Sequence, residues 1–273
     1  MFPVIFKAGF CWFESVPIDR VPRDDIHMQL YPAIDIRQGR CVRLLQGRKD
    51  RETVYTQSPE EIALKWKEQG ATYLHVVDLD GAFTGAAGNR SSVLRMLEQV
   101  EIPIQLGGGI RTPEAVEKWL ALGVRRVILG TAAVENPEMV RMSVDRWGPE
   151  RIVVGIDAKA GRVAVKGWTA GGSCSSLELA KAMKAAGVCR IIYTEIDRDG
   201  TMNGLDTGAT ARLARESGMR VIASGGVASL DDLERASRSV ADGLEGVVLG
   251  KSLYEGRIDL SEAVRKYQTA PGT

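Results

Sequence analysis

The chain of 273 residues has only two histidines, His27 and His75, and that shortage restricts its chemistry. Imidazole is the usual side chain for acid–base work near neutral pH. Here that work must fall mostly to carboxylates. His27 lies in a polar stretch, and His75 opens an apolar run where a structural role is the plainer reading. Four cysteines, Cys11, Cys41, Cys174 and Cys189, stand far apart and form no Cys-x-x-Cys pair. This fits a reduced, cytoplasmic protein better than a disulfide scaffold. No His-x-His or His-Glu-x-x-His spacing occurs, so no metal is expected. The formal net charge is +1, which gives no global case for nucleic acid or an anionic membrane as partner. No apolar run approaches the ~18 residues needed to span a bilayer. A Gly-x-Gly-x-x-Gly turn and a P-loop are both missing, which weighs against an open nucleotide-binding sheet.

What the chain does have is an echo of itself. Residues 104–111 (IQLGGGIR) and 221–227 (VIASGGV) are apolar runs that break into glycines. About twenty residues after each comes a second strand ending in glycine, with Gly130-Thr131 in one case and Gly250-Lys251 in the other. Glycines at a strand end leave backbone N–H groups unshielded, which suits an anion such as phosphate. The separation is 122 residues from Asp35 to Asp157, 119 from Asp80 to Asp199, 117 from Gly109 to Gly226 and 120 from Gly130 to Gly250. A nearly constant offset means two tandem halves, too long for a solenoid repeat and right for a duplicated half-domain.

Eight short apolar runs read as strands: 30–36, 73–79, 103–107, 126–130, 152–157, 190–195, 220–224 and 246–250. They alternate little between apolar and polar, as strands buried on both faces should. Amphipathic stretches between them open with capping signals at Ser58-Pro59, Thr112-Pro113, Asn136-Pro137, Ser176 and Ser229. Gly70, Gly123, Gly187 and Gly218 close helices shortly before strands. Eight strand–helix units in about 245 residues, with no linker between the halves, predict a (β/α)8 TIM barrel with a two-fold half-barrel repeat. Residues 28–273 form that single domain, with halves at about 28–149 and 150–266. Residues 1–27 are expected to be an extension outside the fold, since the regular pattern begins only after Met28.

In such a barrel the ends of the strands build the site. The nests of Gly108-Gly109 and Gly225-Gly226 then face each other across the mouth, as do Asp35 and Asp157. Two opposed carboxylates midway between two anion sites imply a long small-molecule substrate with a phosphate at each end. Asp199 is the best further candidate, while Asp78, Asp80 and Asp197 are weaker and include loop anchors.

The motifs Ala33-Ile34-Asp35-Ile36-Arg37-x-Gly39, Val42-Arg43-Leu44, Val77-Asp78-Leu79-Asp80-Gly81-Ala82, Gly107-Gly108-Gly109-Ile110-Arg111, Lys166-Gly167-Trp168 and Thr194-Glu195-Ile196-Asp197-x-Asp199-Gly200-Thr201 occur in this order. Together they resemble the HisA-type isomerases of histidine biosynthesis, the phosphoribosylformimino-aminoimidazole carboxamide ribotide isomerases. The likeness covers roughly 28–266. It implies an Amadori rearrangement of an aminoaldose to an aminoketose, with two ribose phosphates on the substrate and no cofactor. By that likeness Asp35 is the base and Asp157 the acid, and Asp199, beside Thr194, is an alternative or additional acid. Substrate and phosphate contacts fall to Gly108, Gly109, Gly130, Thr131, Gly200, Gly225, Gly226, Gly250 and Lys251, with Trp168 stacking on the imidazole ring. Arg111 either fixes the first nest or pairs with an acid. The chain is expected to act as a monomer. Three other readings are a bifunctional isomerase that also accepts phosphoribosyl anthranilate, the sister cyclase on the same barrel, and a non-catalytic phosphosugar-binding barrel. The cyclase expects Cys rather than Ala33 near the first Asp, and Asp80-Gly81-Ala82 departs from the Asp-Ala-Ala of the bifunctional enzymes.

Overall fold

A computed structural model describes residues 28–85, 87–165 and 170–268. In chain order the elements are β1 (Gln29–Arg37), β2 (Arg40–Leu45), β3 (Arg48–Val54), α1 (Pro59–Glu68), β4 (Leu74–Asp78), α2 (Leu79–Thr84), α3 (Arg90–Gln99), β5 (Ile104–Gly107), α4 (Pro113–Ala121), β6 (Arg126–Leu129), α5 (Thr131–Glu135) and α6 (Pro137–Trp147). They continue with β7 (Ile152–Lys159), β8 (Arg162–Val165), β9 (Ala170–Ser175), α7 (Ser176–Ala185), β10 (Arg190–Glu195), α8 (Thr207–Ser217), β11 (Arg220–Ser224), α9 (Leu230–Ser237), β12 (Leu244–Leu249), α10 (Lys251–Tyr254) and α11 (Leu260–Tyr267). The reading of 1–27 as an extension concerns residues outside those described.

Strands β1, β4, β5, β6, β7, β10, β11 and β12 pair in parallel, each with the next. Strand β12 returns to β1, with Leu30 opposite Val247, and closes a (β/α)8 barrel. These eight strands are the eight read from the apolar runs. Closure explains why they alternate so little, because both faces are covered. One face packs on the helices through Leu30, Ile34, Leu74, Val76 and Ile104, and the other fills the barrel through Tyr31, Ala33, Ile128, Val153, Ile192, Ile222 and Val248. At the strand starts Arg190 reaches Glu245 at 2.6 Å and Tyr31 donates to the same carboxylate at 2.9 Å. That polar plug occupies the N-terminal end of the barrel and leaves the other end for the site.

Four further strands went unread in the sequence. Hairpin β2–β3 continues β1, and hairpin β8–β9 continues β7. Charged residues such as Arg48, Asp50 and Glu52 interrupt the apolar pattern there, and β3 is largely exposed, so no buried-strand signal existed. The capping signals hold at Ser58, whose hydroxyl accepts from Glu61 N while Glu61 accepts from Ser58 N, and at Thr112 and Asn136. One boundary moves: Ser175, not Ser176, caps α7, because Glu178 stands three residues after it and completes a capping box.

Candidate active site

Asp35 lies near the end of β1 and Asp157 near the end of β7, so both reach the C-terminal mouth. Thr194 on β10 pairs in register with Asp157. Asp199 sits in the turn after β10, held by its own N–H to Glu195 O at 3.1 Å. These four line one cavity of about 270 Å³ with Gly108, Gly109, Gly130, Thr131, Gly200, Gly225, Gly226, Gly250 and Lys251. Trp168 lies outside the described residues.

Each glycine nest is braced by the loop of the preceding barrel strand. A Cβ on Gly109 (φ 72°) would stand 2.3 Å from Gly81 O, and one on Gly226 (φ 91°) 2.4 Å from Gly204 O. Backbone packs directly against backbone at both places, so no other residue fits. Gly204 N also donates to Gly226 O at 2.8 Å. Arg111 donates to Ala82 O at 3.0 Å, which fixes the loop beside the first nest.

The side chain that organises the carboxylates is Arg43, to which the sequence reading assigned no role. Gln38 and Gly39 turn the chain with positive φ, and β2 then runs back along β1, with Val42 opposite Asp35. Arg43 Nη1 donates to Asp35 Oδ2 at 2.5 Å. The Asp35 charge holds the guanidinium pKa above its usual value against the opposing effect of burial. A Cβ on Gly250 would fall 1.9 Å from Arg43 Nη2, so this glycine makes room for the arginine. Register gives no signal for Arg43: Val42 is the residue opposite Asp35, and successive side chains on a strand point to opposite faces.

Asp199 behaves differently. Burial, with the nearby charges of Asp35 and Asp157, pushes its carboxyl up to about 7, although Arg43 opposes the shift. Part of the residue stays open to the cavity, so the acid can meet a bound molecule. His75 also lines the cavity, with its imidazole pushed down to about 4 by burial. Asp78 accepts from Gly81 N at 2.9 Å, Gly88 N at 2.8 Å and Asn89 Nδ2 at 2.6 Å. Asp80 accepts from Gln38 N at 2.6 Å, and Asp197 pairs with Lys159 at 2.8 Å. These three acids anchor loops.

A parallel barrel whose mouth gathers three carboxylates, an arginine and two glycine nests defines the class: a (β/α)8 protein with a carboxylate-lined cavity at its strand ends. Residues 29–259 match the family described as histidine biosynthesis protein, and the chain belongs to that family. A protein from Desulforamulus reducens is 50% identical over 237 residues, covering 87% of this chain and 96% of its own. One from Moorella thermoacetica is 49% identical over 237 residues (87% and 97%), and one from Chloroflexus aggregans is 49% identical over 245 residues (90% and 100%). All three are named 1-(5-phosphoribosyl)-5-((5-phosphoribosylamino)methylideneamino)imidazole-4-carboxamide isomerase. No helix among the described residues is long and apolar enough to cross a membrane.

Proposed function

We propose that this chain is the isomerase its relatives are named for, an aldose–ketose isomerase of histidine biosynthesis acting on an aminoaldose with two ribose phosphates. Its domain runs over 28–273 in two related halves. The nests at Gly108-Gly109 with Gly130-Thr131, and at Gly225-Gly226 with Gly250-Lys251, take one phosphate each. The reaction needs an acid and a base in one site. The acid protonates the ribose ring oxygen, the ring opens to a Schiff base, and the base takes the proton from C2′. The resulting enolamine tautomerises to the aminoketose.

The observation that carries this reading is the contrast between Asp35 and Asp199 in one cavity. Asp35 is held in an ion pair with the buried Arg43. Asp199, pushed up to about 7, keeps a proton to give near neutral pH. Family likeness assigns the acid to Asp157; the electrostatics favour Asp199 as donor, with Asp157 contributing the negative charge that helps keep it protonated. Thr194 stands beside them as a hydroxyl for the opened sugar.

The relatives' name gives one reaction, so the bifunctional and cyclase readings are not carried forward. Purified protein assayed with the aminoaldose, and separately with phosphoribosyl anthranilate, tests the proposal. Turnover of the first alone is expected. Binding of the aminoaldose with no conversion would replace the enzyme by a phosphosugar-binding barrel.

A further inference from the structure

The cavity floor beneath the carboxylates is apolar with one exception. Ala33, Ile128, Ile192 and Val248 line it, and His75 stands among them. Register puts it there: Ala33 is opposite His75, and Asp35 is opposite Val77, one inward-facing position nearer the mouth. One ring nitrogen, Nδ1, lies 3.1 Å from Nε2 of the fully buried Gln105. No hydrogen bond to the other, Nε2, is found among the described residues, and the ring lines the cavity, while Gln105 Oε1 is itself buried without a partner. The ring is neutral at physiological pH because burial disfavours its charged form. A neutral imidazole has one donor and one acceptor. When the Gln105 amide donates to Nδ1, the proton sits on Nε2. The Asp35 carboxylate is the largest charge acting on the ring. A purely structural residue in this layer would need no nitrogen at all, since an aliphatic side chain fills such a floor without a polar group to desolvate.

We propose that His75 Nε2–H is a hydrogen-bond donor to the opened sugar of the substrate, at the hydroxyl oxygen next to the carbon whose proton Asp35 takes. The imidazole transfers no proton. It holds that hydroxyl so that the adjacent C–H bond points at Asp35, and Gln105 holds the imidazole in the tautomer that can donate. This inference rests on the isomerase reading above.

Three substitutions separate the ring's two nitrogens. His75→Gln keeps an amide N–H near the place of Nε2, His75→Asn keeps one near Nδ1, and His75→Phe keeps neither. Turnover of the aminoaldose should fall about tenfold to a hundredfold in kcat for the Asn and Phe variants, with a smaller change in KM. The Gln variant should recover most of the loss. A Phe variant as active as the wild type overturns the role of His75 alone, whereas an inactive wild type overturns the isomerase reading itself. Variants that fail to fold do not shelter the proposal, because the wild-type chain has only two histidines and the 15N imidazole signals of His75 can be assigned with a His27→Ala control. At pH 7 His75 should be neutral with its proton on Nε2, and that signal should shift when the aminoketose product is added. A proton on Nδ1, or no shift, refutes it.

Discussion

Asp80 and Asp199 are 119 residues apart, each is followed by glycine, and each lies just beyond a barrel strand of its own half. Their fates are opposite. Asp80 accepts from Gln38 N at 2.6 Å and from Asn89 Nδ2 at 2.9 Å, and it ties the turn after β1 to the start of α3. Asp199 is held through its backbone, with its carbonyl accepting from Gln46 N at 3.1 Å, and its carboxyl is left to the cavity. Neighbours make the difference. Asn89 supplies amide hydrogens in the first half, and Gly208 stands at the same offset in the second. The opposed pair also differs in sequence: Arg43 stands eight residues after Asp35, and Val165 eight after Asp157. An identical dipeptide is an anchor where amides reach it, and its carboxyl is pushed up where burial and like charge surround it.

The strongest way to break this comparison is to remove the acid paired with Arg43. Asp35→Asn is expected to lower kcat by roughly a thousandfold or more while the aminoaldose still binds, measured by turnover and by equilibrium binding. Substantial turnover would remove Asp35 from the base role. Next comes the related pair itself. Asp199→Asn should cost about a hundredfold in kcat. It should also abolish the alkaline limb expected of the wild type as Asp199, pushed up to about 7, loses its proton. Asp80→Asn should leave kcat within about threefold and lower the melting temperature instead, since it weakens a loop anchor. If Asp157→Asn rather than Asp199→Asn removes the alkaline limb, the acid role passes to Asp157.

Arg43→Gln sharpens the electrostatic half of the argument. Arg43 pulls the Asp199 carboxyl down, so its loss should move the alkaline limb above pH 7, as read from the pH dependence of kcat/KM. The smallest effect is on stability. The folded Asp199 carboxyl titrates above the ordinary 3.8, so the folded state holds a proton that the unfolded state has released. Its contribution is fully present below about pH 4 and is lost as pH rises through about 7. Urea unfolding at pH 4 to 8 should show a smaller fall with pH for Asp199→Asn than for the wild type, the difference being at most about 1.4 kcal/mol per pH unit.

Much of this was legible before any coordinates. The barrel strands could be read because residues buried on two faces, such as those of Ile152–Ile156, leave no room for polar alternation. Helix starts at Ser58 and Thr112 could be read because capping is local chemistry. The hairpins β2–β3 and β8–β9 were not, since strand pairing outside the core depends on a partner strand rather than on a buried face. The Arg43–Asp35 pair was not legible, because strand register puts Val42 opposite Asp35 and the guanidinium reaches the carboxylate only in the folded hairpin. His75 read as structural for the same reason: an apolar run shows that a residue is buried, but not whether it faces helix or cavity.

By itself the sequence determined the alternation of buried strand and capped helix, the glycines where backbone must meet backbone, and the acids available for proton transfer in a chain nearly without histidine. Only the tertiary structure decided which of those acids is anchored, which is paired with an arginine and which has its carboxyl pushed up by burial and like charge. Protonation depends on the charges and solvent within a few ångströms, and in a closed barrel those neighbours come from strands more than a hundred residues apart.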